Sequence, residues 1–125
     1  MRKINRMIAL LLALSLLLLT AACSGGKSEE KVLNIAKKYA GEVRKVMDAT
    51  SIFLYGSHAK STATKDSDID IAVVVNKVPG DYLDAVSLLW KLTRAIDHDI
   101  EPVLLTAADD ESGFLQTVQQ TGIAV

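Results

Sequence analysis

Residues 51–75 read SIFLYGSHAKSTATKDSDIDIAVVV, and this stretch decides the fold. Its first four and last five residues are short apolar runs, and the second run is rich in β-branched side chains. Such runs are typical of buried β-strands. The polar residues between them therefore form a loop that joins two strands of one sheet. The loop begins with Gly56-Ser57 and ends with Asp68-Ile69-Asp70.

The two acids are spaced as a metal site requires. Side chains alternate between the two faces of a strand, so Asp68 and Asp70 are expected to point the same way. Two neighbouring carboxylates repel each other unless a cation lies between them. Because both ligands offer only oxygen atoms, the pair suits a hard ion such as Mg²⁺.

The Gly-Ser end of the loop suits a phosphate group. Gly56 permits a tight turn and the close approach of a ligand to the backbone. The residues from Ser57 to Lys60 can begin a short helix, whose free N–H groups attract phosphate. A phosphate-binding turn that faces an acid pair predicts a site for a metal-bound nucleoside triphosphate.

This stretch resembles the nucleotidyltransferase superfamily that includes the β-type DNA polymerases. The motif of that superfamily is Gly-Ser, ten residues and Asp-x-Asp, and here residues 58–67 separate Gly56-Ser57 from Asp68-Ile69-Asp70. The acids and the apolar run after them are similar to its small bacterial "minimal" branch. One departure is Ser61, where that branch usually has a second glycine. The resemblance implies an α/β (α+β) fold, with a small mixed β-sheet and helices packed on one face.

The resemblance also implies a reaction. A nucleoside monophosphate would pass from a nucleoside triphosphate, with ATP favoured, to an unknown acceptor hydroxyl, and pyrophosphate would leave. Asp68 and Asp70 would hold Mg²⁺ on the triphosphate. Gly56 and Ser57 would bind the β- and γ-phosphates, and Lys60 is a candidate for a further phosphate contact.

A third strand is expected within residues 97–105. If this strand is regular, Asp97, Asp99 and Glu101 share one face. The resemblance implies that one acid of this strand faces the Asp-x-Asp pair and completes a second metal site. Glu101 is favoured because the apolar run after it is similar to the family pattern, and Asp99 is the alternative. Pro102 predicts the start of the strand or an edge position.

Apolar residues at helical spacing predict a first helix over residues 29–48, which Ser28 can cap. Its expected core residues are Val32, Ile35, Ala36, Tyr39, Val43, Val46 and Met47. A second helix is predicted after the capping residue Asp81. Its expected inward residues are Leu83, Val86, Leu89, Trp90 and Ile96. A last helix over residues 109–120 is expected to bury Phe114, Leu115 and Val118, and residues 123–125 to add an edge strand.

Residues 1–22 have the layout of a signal peptide: a basic start, an apolar run over residues 7–19 and small residues at the end. Cys23 follows directly and resembles the lipidated first residue of a bacterial lipoprotein. Residues 23–28 are then a linker, and residues 29–125 a nucleotidyltransferase domain. This order predicts a membrane-anchored, extracytoplasmic lipoprotein. The alternative is a cytoplasmic domain behind an uncleaved signal anchor or a false start.

Composition limits the remaining function classes. The chain has 125 residues, which suits one small domain. Three of its 14 basic residues, but none of its 15 acidic ones, lie in residues 1–22, so the rest is acidic. An acidic domain argues against a broad nucleic-acid surface. Its one cysteine excludes a disulfide within the chain.

Export would give the domain little access to nucleoside triphosphates. An alternative function is therefore a catalytically idle domain that binds a nucleotide or metal. Another is an antitoxin-like interaction module, because the minimal relatives pair with small helical toxins. The unknown acceptor could then be a partner protein.

Overall fold

The computed structural model describes residues 26–125. The helices are α1 (Glu29–Val46), α2 (Tyr82–Thr93) and α3 (Phe114–Thr121), with a 3₁₀ turn over Gly56–His58. The strands are β1 (Ala49–Tyr55), β2 (Ile69–Val75), β3 (Ile100–Thr106) and β4 (Ile123–Ala124). Within residues 26–125, no helix combines the length and the apolar character needed to cross a membrane. The predicted signal peptide, residues 1–22, and Cys23 lie outside the described residues.

The four strands form one mixed sheet in the order β3-β2-β1-β4. Strand β1 runs antiparallel to both β2 and β4, whereas β2 and β3 are parallel. The predicted α/β fold with a small mixed sheet is therefore confirmed. Pro102 lies within β3, which is an edge strand. Proline is tolerated in an edge strand because one side of that strand pairs with no other strand.

Strand β2 is the centre of the core because both of its faces are covered. Ile69, Ile71 and Val73 face α1 and α2 and belong to the main hydrophobic cluster. Ala72 and Val74 point the other way and are also buried. A strand buried on both faces reads as a continuous apolar run, which explains why the sequence identified β2 over its full range.

Helix α1 begins and packs as its sequence predicts. The Ser28 hydroxyl accepts the N–H of Lys31, and two acidic residues lie in the first turn. The hydroxyl of Tyr39 donates to the carbonyl of Leu89 at 2.8 Å, which joins α1 to α2. The expected burial of Val46 is wrong, because 46% of its surface is exposed at the end of the helix.

Helix α2 presents a narrower core face than its sequence suggested. Asp81 caps the helix, and the buried residues are Ala85, Leu89 and Thr93, spaced four apart. Trp90 was expected to face the core but is 45% exposed, and Leu83 is 71% exposed. Successive helical residues are about 100° apart, so a position next to Leu89 already turns away from the sheet.

Helix α3 is shorter than predicted and contacts the face of the sheet opposite α1 and α2. It begins at Phe114 because Gly113 adopts a left-handed conformation, with φ of 71°. Leu115 and Val118 are buried as expected. Phe114 was also expected to be buried but is 38% exposed. The centroids of its ring and of the Tyr55 ring lie 5.5 Å apart in a T-shaped arrangement.

Gly122 is required where α3 turns into β4. A Cβ atom at this position would lie 2.5 Å from the Val118 carbonyl oxygen and 3.1 Å from that of Leu54. We expect Gly122→Ala to lower the free energy of unfolding by about 2 kcal/mol, because the backbone must shift to relieve the overlap. Urea unfolding measures this change.

Gly41 supplies the matched control. It lies in α1, and a Cβ there would meet nothing within 4 Å. Gly41→Ala should raise the free energy of unfolding by about 0.5–1 kcal/mol, because alanine is the better helix former. Two variants of equal stability would contradict the steric account of Gly122.

Candidate functional site

Three side chains from three strands form one row on the face opposite α1 and α2. Tyr55 is paired with Asp70 across β1 and β2, and Asp70 is paired with Glu101 across β2 and β3. Ile69 and Ile100, which each precede an acid of the row, point into the core. Because side chains alternate, Asp70 and Glu101 point to the opposite face. The row brings residues that are far apart in the sequence to one place.

Asp68, just before β2, adds a third carboxylate to this group. Burial and the charge of Asp68 raise the pKa of Asp70, and His58 opposes them. Partial burial, the charges of Asp68 and Asp70 and close contact with the Asp68 carboxyl raise the pKa of Glu101. The three carboxylates thus repel one another, as groups that share a site do.

Tyr55 belongs to the same electrostatic group, although the sequence did not point to it. Burial, followed by the charges of Asp70 and Glu101, raises the pKa of its phenol. The Tyr55 hydroxyl is therefore exposed to the charges of Asp70 and Glu101, while its ring contacts Phe114. The position of Tyr55 directly before the Gly-Ser pair could have signalled this. In an antiparallel hairpin, the last residue of the first strand lies opposite the start of the second strand, and Asp70 is found there.

Gly56 is the turn residue that brings the backbone against Asp70. Its φ is +72°, a conformation that other residues rarely adopt. A Cβ atom here would collide with the Asp70 carboxylate. Its carbonyl accepts the N–H groups of Ala59 and Lys60, at 3.2 and 3.1 Å, which closes the turn. Glycine is thus needed both for the backbone angle and for space.

The rest of the motif loop, residues 56–68, is held by its own hydrogen bonds. The N–H of Thr62 donates to the Ser57 carbonyl at 3.0 Å, and the N–H of Thr64 donates to the Ser67 hydroxyl at 2.8 Å. Ser61 adopts a φ of 56°, in the left-handed region. Ser61 thus adopts the left-handed conformation that glycine favours, at the position where the minimal branch usually has its second glycine.

Asp97 and Asp99, the two acids before β3, lie outside the acidic row and bind Lys27. The strand begins at Ile100, so Asp97 and Asp99 lie in the preceding turn and do not extend the acidic row. Lys27 Nζ binds Asp97 Oδ1 at 2.7 Å and Asp99 Oδ2 at 2.6 Å. Burial opposes ionisation of Asp97, but hydrogen bonds from Lys27 and the Asp99 backbone, together with the charges of Lys27 and His98, keep the pKa of this carboxyl below its usual value.

Lys27 was assigned to a flexible linker by the sequence, and its ion pairs were not foreseen. A lysine between two glycines and a helix cap carries no local signal of a partner 70 residues away. Lys60, the predicted phosphate contact, is exposed on the motif loop, and Ser57 is half-buried beside Gly56.

Within residues 26–125, no three His, Cys, Asp or Glu side chains converge into a ready-made metal cage. Asp68, Asp70 and Glu101 nevertheless fit a hard cation, because they offer only oxygen and because burial and the charge of Asp68 raise the pKa of both Asp70 and Glu101. Mg²⁺ keeps several waters and is usually bound by one or two carboxylates together with substrate phosphates. A preformed cage is therefore not required before a nucleotide binds.

Comparison with known proteins bears on the family and the fold. The family model described as "Polymerase beta, Nucleotidyltransferase" matches residues 30–125. Protein adenylyltransferase MntA of Shewanella oneidensis MR-1 is 40% identical over 60 residues, which cover 46% of this chain and 40% of the relative. The chain thus matches less than half the length of this curated relative.

Two solved structures share the fold. A Sulfolobus solfataricus structure assigned as a nucleotidyltransferase has a TM-score of 0.55 and 18% identity, covering 77% of this chain and 80% of that one. A chain of a toxin–antitoxin structure with AMP-PNP has a TM-score of 0.53 and 27% identity, covering 78% of this chain and 72% of that one.

The raised pKa of Asp70 makes stability depend on pH. The folded state holds this proton more tightly than the unfolded state, so stability falls as pH rises from the ordinary carboxyl pKa through the raised one. We therefore expect Asp70→Asn to be more stable than the parent at about pH 7, and the difference to shrink towards about pH 4. Thermal melts across this range measure it.

Asp48→Asn is the control for this series. Asp48 is an exposed acid just before β1, at the opposite end of the strand from Tyr55. Its replacement should leave stability nearly unchanged, within about 0.5 kcal/mol. An Asp70→Asn variant that melts below the parent at neutral pH would show that this carboxylate supports the fold.

Proposed function

Because the chain belongs to the nucleotidyltransferase family of polymerase β, we propose that it transfers a nucleoside monophosphate from a nucleoside triphosphate to an acceptor hydroxyl. One observation carries this proposal: the Gly56 turn lies directly against Asp70, which stands in register beside Glu101. A phosphate-binding turn and an acid group are thereby adjacent. This is the arrangement that a metal-bound triphosphate needs.

ATP is the proposed donor. The MntA relative is named a protein adenylyltransferase, and the toxin–antitoxin structure was solved with AMP-PNP. Mg²⁺ is the proposed cofactor, held by Asp68 and Asp70 with Glu101 as a further ligand. It would supply positive charge that stabilises the phosphate oxygens during transfer.

The residues of the chain have separate roles in this proposal. The turn at Gly56 and Ser57 binds the β- and γ-phosphates through backbone N–H groups and the serine hydroxyl. Lys60 adds a positive charge from the exposed loop. The acceptor oxygen forms a bond to the α-phosphorus as the bond to pyrophosphate breaks, and the acceptor proton passes to Glu101. Partial burial and the neighbouring charges of Asp68 and Asp70 raise the pKa of Glu101, which favours its taking up a proton.

The proposed acceptor is a hydroxyl group on a partner protein. The name of the MntA relative specifies a protein as its acceptor. The structure with AMP-PNP is that of a toxin–antitoxin pair, which supports a partner encoded with this chain. Incubating the parent with its neighbouring gene product and α-labelled ATP, and following label into protein, tests this assignment.

Loss of either acid of the motif should abolish transfer without unfolding the domain. We expect Asp68→Asn and Asp70→Asn to lower the rate at least about 100-fold, a loss of roughly 2.7 kcal/mol in transition-state stabilisation. Glu101→Gln should fall by a similar factor, and Asp99→Asn by no more than about tenfold. Incorporation of label from α-labelled ATP into the acceptor protein, in Mg²⁺, measures the rates.

Asp84→Asn, which removes an exposed acid from α2, is the charge control and should keep the parental rate. If Asp99→Asn is more damaging than Glu101→Gln, the third carboxylate is Asp99. If the parent binds ATP but transfers nothing, the alternative of a catalytically idle nucleotide-binding or interaction module takes the place of the enzyme.

We also propose that Cys23 is lipidated and that residues 1–22 are removed, which would anchor the domain outside the cytoplasm. The order of basic, apolar and small residues before Cys23 supports this proposal. We expect mass spectrometry of the protein from its host to find a lipid-modified Cys23 as the first residue. Intact Met1 with a free Cys23 thiol in the soluble fraction would favour a cytoplasmic domain, where ATP is available.

A further inference from the structure

The three residues before α1 connect the two loops that flank the acidic group. We call residues 26–28 the strap. Gly26 approaches the motif loop so closely that a Cβ atom there would lie 3.2 Å from Lys65 Cα. Lys27 binds both acids of the turn before β3, and Ser28 caps α1. The strap thus touches the motif loop, the turn and the first helix.

The turn that Lys27 holds is bonded to the backbone of the acidic group. The N–H of Asp99 donates to the Asp97 carboxylate at 2.9 Å, which closes the turn. The carbonyl of Asp99 accepts the N–H of Ile69 at 2.7 Å. Ile69 lies between the two acids of the motif, and Glu101 follows Asp99 by two residues. The turn therefore links the start of β2, which lies between the two motif acids, to β3, which carries Glu101.

The strap lies beside a cavity, and the ion pairs of Lys27 hold it to the turn before β3. A cavity of about 140 Å³ lies between the strap and the motif loop, lined by Lys27, His58 and Ser61 among others. The side chains of Lys27 and Asp97 are only 26% and 17% exposed, so their pair is partly desolvated. Such pairs depend on both partners, because removing one leaves the other charge without compensation.

Lys27 pairs with the acids of the turn and not with those of the acidic group. Five carboxylates lie at this end of the sheet: Asp68, Asp70, Asp97, Asp99 and Glu101. Lys27 binds two of them at hydrogen-bond distance. Asp68, Asp70 and Glu101 are not bound by it. These are the three that the proposed reaction requires.

We propose that Lys27 is a positioning residue, which fixes the turn at Asp97–Asp99 and thereby the place of Glu101 relative to Asp68 and Asp70. This inference rests on the proposed function, since positioning has a purpose only if the acids act together. It assigns a role to the segment before the domain, which the sequence described as a linker.

Amide hydrogen exchange tests the structural half of the proposal without any activity. In Lys27→Met, the Ile69 amide should exchange about tenfold faster, because its acceptor lies in the released turn. Val73, in the middle of β2, should exchange at the parental rate, which shows that the change is local. Lys27→Arg should restore slow exchange. If Lys27→Met does not fold, Lys27→Gln takes its place.

Lys45→Met is the matched control. Lys45 Nζ binds Glu42 Oε1 at 2.8 Å on the exposed side of α1, so this variant also removes one positive charge, with one ion pair where Lys27→Met removes two. Ile69 exchange should not respond to it. Kinetics supply the second readout: Lys27→Met should lower kcat about tenfold and change KM for ATP by less than about threefold, because the Gly56 and Ser57 contacts remain.

The outcomes separate this inference from the proposed function. Parental exchange at Ile69 in Lys27→Met overturns the inference, whatever the activity. Faster exchange with an unchanged kcat also overturns it, because Lys27 then supports only the local structure. A parent with no transferase activity overturns the proposed function, and the exchange of Ile69 alone then decides whether Lys27 fixes the turn.

Discussion

The site depends on the close approach of the Gly56 backbone to the Asp70 carboxylate. No other amino acid would leave room for that carboxylate, and few would accept the positive φ. The approach brings the proposed phosphate-binding turn and the acid group within reach of one ligand. It also explains why the Gly-Ser pair and the second acid act as one motif, although twelve residues, 58–69, separate Ser57 from Asp70.

This approach is stable because the core holds β2, the strand that contains Asp70, in place. Ile69 and Ile71, on either side of it, are fully buried against α1 and α2. A one-residue slip of β2 would turn these side chains away from α1 and α2 and put the acid in the core, at a large cost in free energy. The apolar core therefore sets the direction in which Asp70 points, and the neighbouring strand sets the place of Glu101.

A group of like charges at the end of a sheet lowers stability unless something compensates it. In this chain Lys27 compensates only some of these charges. Lys27 binds the two acids of the turn before β3, while burial and the charge of Asp68 keep the pKa values of Asp70 and Glu101 raised. Active sites commonly retain such strain where a ligand is to bind. The mutual repulsion of these three acids is what a bound cation would relieve.

Local patterns determined much of this protein. The apolar runs, the capping residues Ser28 and Asp81 and the spacing of the motif were enough to predict the sheet, the helices and the acid pair, because each depends on near neighbours in the chain. Side-chain burial was less predictable: Trp90 and Phe114 are exposed because the facing surfaces, not the helical periodicity, decide which side of a helix is covered.

Tertiary structure alone decided what lies beside the acid pair. Parity left Asp99 and Glu101 equivalent, and only the start of β3 at Ile100 put Glu101 in register with Asp70. Tyr55 joined the group through strand pairing, and Lys27 reached its partners across 70 residues of sequence. Register and long-range ion pairs arise from how separate segments meet, and a sequence read locally does not contain that information.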